Sequence, residues 1–255
     1  MESIFAQFDA WLVALSLAVT MLAAWGLGWW TGQRVRERGG ESPASKFDDA
    51  SLALLGLLLA FTFSTSIGKH DYRRLMLVAD SNAIGDFYTC ASLLREPVRT
   101  NLQNVIRDYT ALRLKLARQP LDQSTFEDAL HQFQSMQGQM TNLVSEALSA
   151  GTPIAVSLTN TLNGVSSNHA ARLAGIRDRL PPSIVLLLFA AAIVATILVG
   201  REQGASGRVD VLGTLCFILL VAIAVYVTLD LNQPERGLIT ISQEPFERLL
   251  SSMSK

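Results

Sequence analysis

The chain has 255 residues, of which 49% are hydrophobic and 17% charged, and its 21 Lys and Arg against 22 Asp and Glu leave a formal net charge of −1. A mean hydropathy of +0.30 with so small a charged fraction is unlike an ordinary water-soluble globular chain. The even charge balance supplies no basic field, so no nucleic-acid partner is expected.

The apolar residues are gathered into blocks. Four stretches, 10–33, 50–68, 180–200 and 211–229, contain no Asp, Glu, Lys or Arg. Each approaches or exceeds the roughly 20 residues a helix needs to cross a hydrocarbon layer about 30 Å thick, so each is expected to be a transmembrane helix. Residues 1–10 carry Glu2 and Asp9 and no basic residue, which makes the first stretch a retained span and not a cleaved signal peptide. Trp11 at one end of it and Trp25, Trp29 and Trp30 at the other place indole rings at the two headgroup levels. The polar loop 31–49 follows, with Gly39, Gly40, Pro43 and the cluster Arg34, Arg36, Arg38, read as a solvated juxtamembrane anchor.

The second stretch is the most informative. Gly56, Ala60, Ser64 and Gly68 recur every four residues, a small-residue stripe of the kind that lets helices approach closely in lipid. Beside it run Leu57, Phe61 and Thr65, and Thr62 and Ser66 add hydroxyls to the outer turn. Two readings stand. The helix lines a pathway whose apolar constriction gates by dewetting and opens into a wetter vestibule, or it packs ordinarily, with its hydroxyls bonded back to the preceding turn.

Residues 69–179 keep helical spacing and are expected to form a helical extramembrane domain. Leu75, Val78, Asn82 and Phe87 carry the second span outward as one rod that ends by Pro97. Leu102, Val105, Tyr109, Leu112 and Leu116 stripe the next helix, up to Pro120. Ser124 and Glu127 have capping-box spacing and open a helix striped by Phe126, Leu130, Phe133, Met140 and Val144. After Gly151 and Pro153, the positions Leu158, Leu162, Val165, His169, Leu173 and Ile176 recur like a coiled-coil seam up to Pro181 and Pro182. The short loop 201–210 makes an antiparallel hairpin of the last two spans. In the tail 230–255, Asp230, Pro234 and Gly237 predict a turn, residues 238–241 a short β-prone run, and Ser242 a cap. Phe246, Leu249 and Leu250 then predict a short amphipathic helix lying against the membrane surface.

This order puts the loops 31–49 and 201–210 on one side, and the helical domain and both termini on the other. Arg34, Arg36, Arg38, Lys46, Arg201 and Arg208 face Lys69, Arg73, Arg74, Arg172, Arg177 and Arg179 across the membrane, so the positive-inside rule alone fixes no orientation.

No constellation supports an enzyme, a metal or a cofactor. Cys90 and Cys216 lie far apart and imply neither a disulfide framework nor a zinc site. His70 and Asp71 are adjacent, and neighbours on a helix point about 100° apart. His131 falls on a polar face, and His169 in the seam is read as a packed, hydrogen-bonded side chain.

Several segments resemble the bestrophin-like domain family of bacterial membrane proteins: 56–64 (Gly-Leu-Leu-Leu-Ala-Phe-Thr-Phe-Ser), Tyr72-Arg73-Arg74, 82–85 (Asn-Ala-Ile-Gly), Leu93-Leu94, Glu96-Pro97, and Asp230, Pro234 and Gly237. The chain departs from that family at Asp80-Ser81, where a Glu-Ala pair is expected, and at Thr89-Cys90, where an Arg is usual. More faintly it is similar to the bestrophins, pentameric anion channels in which the second span lines an apolar neck.

The resemblance implies an all-α integral membrane protein, four transmembrane helices with a helical extramembrane domain between helices two and three. It puts the aromatic neck position on Phe61, with Leu57 one turn earlier and Ala53 before that. It also implies a homo-oligomer, a pentamer, in a bacterial inner membrane with the helical domain cytoplasmic. No acidic calcium-clasp segment is present, so gating by calcium is not implied.

Residues and resemblance together give the expectation of a homo-oligomeric, anion-permeable channel whose partners are its own copies and lipid. Its pore is lined by Ala53, Leu57, Phe61, Ser64 and Thr65, its anion vestibule by Arg73 and Arg74, and Gly56, Ala60 and Gly68 pack helices. The alternative is a membrane-anchored sensor or scaffold whose helical domain binds a ligand or partner with no permeation path.

Overall fold

A computed structural model describes residues 9–38, 46–118, 123–233 and 237–254. Glu2, Gly39, Gly40, Pro43, Pro120 and Pro234 lie outside the described residues, as do the side chains of Lys46, Ser124, Phe126 and Arg177. The described residues form eight helices and no strand: α1 (Ala10–Glu37), α2 (Lys46–Ser92), α3 (Val98–Ala117), α4 (Gln123–Ser149), α5 (Ala155–Arg177), α6 (Pro182–Ser206), α7 (Val211–Leu231) and α8 (Glu244–Met253). Four of them, α1, α2, α6 and α7, are long and apolar enough to cross a membrane. At 47 residues, α2 is about 70 Å long, more than twice the hydrocarbon thickness, so residues 50–68 occupy only its first half.

The chain divides into two compact units. The first comprises Met1–His70 and Arg179–Ile239, the second Asp71–Asp178 and Thr240–Lys255.

In the first unit Leu17, Met21, Leu55, Leu188, Ala192, Ala195 and Val225 are among the residues of the apolar core. Helices α1 and α6 meet through glycine. A Cβ on Gly28 or Gly32 would overlap the backbone carbonyl of Ile197 or Arg201, and one on Gly200 or Gly204 would overlap that of Trp25 or Trp29. Two Gly-xxx-Gly pairs therefore face each other and bring the backbones into contact, the geometry that lets van der Waals packing hold helices together where lipid removes the hydrophobic drive. Trp25 Nε1 donates to Gln203 Oε1 at 3.1 Å, and Gln203 Nε2 donates to Thr214 Oγ1 at 2.9 Å, which ties α1, α6 and α7 together. The loop expected at 201–210 is shorter than its sequence predicts. Helix α6 continues to Ser206, because Gly204 belongs to this contact, and ends on Gly207, whose φ of 69° needs glycine.

The second unit holds the rest of α2 together with α3, α4, α5 and α8 around a separate core, which includes Ile84, Phe87, Ile106, Tyr109, Met140, Leu158, Val165 and Phe246. Leu158, Leu162, Val165 and His169 of the expected seam are all buried.

The second span does run outward as one rod, α2 continuing unbroken to Ser92. The outer half of α2 turns inward Leu77, Asp80, Ser81, Ile84 and Phe87, whereas Leu75 and Val78 are 63% and 38% exposed. Apolar residues occur on both sides of this helix, and the inner side contains a carboxylate, so hydrophobicity alone does not fix its phase, whereas one expectation is corrected outright by the last helix. Helix α8 buries Phe246 and Met253 in the core of this unit, so its apolar side is committed to protein instead of a membrane surface.

A second correction falls in the first unit, where residues 238–239 form no strand. Both carboxylate oxygens of the buried Asp230 accept from this run, Oδ1 from Leu238 N–H and Oδ2 from Ile239 N–H, each at 2.9 Å. The side chain replaces the strand neighbour those amides would otherwise need.

Candidate functional site

The span part of α2 has two sides. Leu55, Thr62 and Ser66 face the interior of the first unit, while Ala53, Gly56, Leu57, Ala60, Phe61, Ser64, Thr65 and Gly68 are exposed. Leu57 is 53% and Phe61 64% exposed, and nothing in the chain lies within 4 Å of a Cβ placed on Gly56 or Gly68. Of the four candidate spans, α2 is the least covered by its own chain: 17% of its most apolar window is buried, against 33% for each of the others. The hydroxyls of Thr62 and Thr65 donate back to the carbonyls of Leu58 and Phe61, each at 2.8 Å. Their protons are engaged within the helix, as the packing reading of this span expects.

Beyond the span, consecutive arginines part company. Arg74 is exposed. Arg73 is buried, and it donates from Nε to Gly175 O at 2.9 Å and from Nη2 to Asp178 O at 2.7 Å. It thereby satisfies carbonyls at the end of α5 that the helix cannot.

The second unit contains a polar cluster that sequence reasoning missed. Asp80 of α2, with no exposed surface, sets Oδ2 at 3.2 Å from Arg113 Nη2 of α3 and at 3.5 Å from Arg172 Nη1 of α5. Arg113 Nη2 also donates to the Tyr109 hydroxyl at 2.9 Å and contacts His169 Nδ1. Tyr109 and His169 lie 3.3 Å apart, oxygen to nitrogen, and the Phe133 ring of α4 closes the cluster, with its centroid 4.9 Å from the Arg113 guanidinium.

Burial pushes the Asp80 carboxyl above its ordinary range, against the pull of Arg113 and then Arg172. Burial, then the charges of Arg113 and Arg172, lowers His169 from 6.5 to about 4. Burial and then Arg113 lower Arg172 to about 10, where it is still a cation at neutral pH. Burial raises Tyr109.

His131 is exposed and His70 half-buried. Among the described residues no three His, Cys, Asp or Glu side chains are grouped to hold a metal ion. Cys90 and Cys216 are both free thiols.

Fold and site define an all-helical membrane protein with four candidate spans, one of which leaves its apolar and small-residue side uncovered. The chain belongs to the Bestrophin-like family: the model of the Bestrophin-like domain matches residues 14–246, nearly its whole length. Membership in that family points to a channel-like membrane protein. No curated protein and no solved structure matches the chain.

Proposed function

We propose that the protein is a homo-oligomeric channel in which copies of α2 surround a shared pathway, with Leu57 and Phe61 as its apolar neck. The observation that carries this reading is the uncovered side of α2. A span with only 17% of its apolar window buried in its own chain, and with Gly56 and Gly68 meeting nothing, is built to be completed by neighbours. A ring of identical chains supplies them by cyclic symmetry. Ala53 lies one turn before Leu57 on the same side, Ser64 and Thr65 form the wetter vestibule, and Gly56, Ala60 and Gly68 pack against the adjacent copy.

The proposed anion preference rests on Arg74, since Arg73 is committed to the end of α5. Five copies, a bacterial inner membrane and a cytoplasmic second unit follow from the family resemblance. The test is the mass of the complex in detergent, followed by anion flux from proteoliposomes. A ring of four or more with measurable flux is expected, and Phe61→Ala should raise the leak by widening the neck. A monomer or a simple dimer overturns the reading, and unchanged flux in Phe61→Ala removes Phe61 from the pathway.

A further inference from the structure

His169 on α5 is 8% exposed, and its Nδ1 faces two donors on α3, the Tyr109 hydroxyl at 3.3 Å and Arg113 Nη2. A ring nitrogen that accepts from a guanidinium keeps its lone pair, so this imidazole is neutral. The charged groups packed around it are mostly cations. Asp80 from α2 is the carboxylate of the cluster and already serves both Arg113 and Arg172. Helix α4 contributes the Phe133 ring, 5.4 Å from the imidazole, and Gln137, which borders the Tyr109 hydroxyl. Helix α8 contributes the Phe246 ring, 5.5 Å from the Arg172 guanidinium. Its carboxylates are engaged at the surface, Glu244 with Arg248 and Glu247 with Arg118.

We propose that this cluster is an acid-sensitive latch: a proton on His169 removes the acceptor held by Arg113 and Tyr109 and sets two cations in contact, loosening α5 from α3. The proton comes from solvent and stays on Nδ1. The latch belongs to the second unit and is independent of whether the protein conducts.

The sign follows from where His169 titrates. It takes a proton near 6.5 when unfolded but only near 4 when folded. Its contribution to stability is therefore full above pH 6.5 and is lost as the pH falls toward 4. Asp80 acts oppositely. Its raised carboxyl takes a proton more readily in the fold, so its titration favours the folded state in acid. Glu96 at the surface, held below its ordinary range by hydrogen bonds from Thr100 and then Arg99, also loses stability in acid, so the histidine's share is the part of the acid loss that disappears with its imidazole.

The test is hydrogen exchange of the full chain in detergent, at about pH 7.5 and about pH 4.5, corrected for intrinsic rates and read in peptides from α3 and α5, with α6 and α7 as internal reference. Protection in α3 and α5 should fall by roughly fifty-fold in the wild type, and this fall should shrink several-fold in His169→Gln. An equal fall in both proteins, or none in the wild type, overturns the proposal. If His169→Gln does not fold, the ring-proton resonances of the three histidines of the wild type decide it. A His169 midpoint near 4 supports the latch, and one at 6 or above removes it.

Discussion

Asp80 has no exposed surface, yet its carboxylate holds two guanidiniums from two other helices. Taking those charges out of water is costly, and removing one partner leaves the others uncompensated. Asp80→Asn should therefore destabilise the second unit by about 3–5 kcal/mol, read as lost exchange protection in α3 and α5. Replacing all three together, Asp80→Leu with Arg113→Met and Arg172→Met, should cost less than Asp80→Asn alone, because no charge of the triad is then left buried without its partner. The sequence marks this site only in part. Asp80 stands out as a departure from the family pattern, but Arg113 lies between Leu112 and Leu114, where nothing distinguishes a buried arginine from a solvated one. His169 is legible because it occupies a seam position. Its two donors are not, since they come from a helix more than 50 residues earlier.

Small residues four apart occur on three helices, at Gly28 and Gly32, at Gly56 through Gly68, and at Gly200 and Gly204. Spacing draws attention to the longest of these, the stripe on α2. Within the chain it is the other two that meet. The same local pattern serves contact inside one chain on α1 and α6 and is left uncovered on α2, and no property of a single helix tells the two apart. Substitution separates them. Gly200→Ala should push α1 and α6 apart and lower the stability of the first unit by about 1–3 kcal/mol, the usual cost of overpacking, read as a lower unfolding temperature in detergent. Gly56→Ala meets open space and should leave that temperature unchanged while reducing the fraction of assembled rings. Loss of stability in Gly56→Ala with assembly intact would place that glycine inside the chain's own packing. The spans themselves are legible from sequence because freedom from charge over some 20 residues is a property of composition. The phase of the outer half of α2 is not, because Leu75 and Leu77 compete for the same role and only the helices packed against α2 decide between them.

At the scale of the whole molecule the open matter is which way it sits in the membrane. Basic residues flank the spans on both sides, and the structure shows that those on one side are not equivalent. Arg73 caps α5 and Arg172 pairs with Asp80, whereas Arg34, Arg36, Arg38, Arg201 and Arg208 are exposed. Insertion is decided while the chain is unfolded, when every one of these arginines counts, so their later burial does not break the tie. The proposed function takes the second unit as cytoplasmic, and the two cysteines allow a clean measurement of that side. Cys90 lies in the second unit and is half-buried, while Cys216 is exposed on α7, within the span. A charged thiol reagent is excluded from the hydrocarbon layer around Cys216, so labelling reports on Cys90, and Cys216→Ser makes the assignment certain. Intact cells should leave Cys90 unlabelled and permeabilised cells should label it. Labelling in intact cells would turn the protein over and put the basic loop ends of α1 and α6 in the cytoplasm. Arg74 and the second unit would then meet the outside solution, and the acid response of His169 would be a response to the surroundings of the cell.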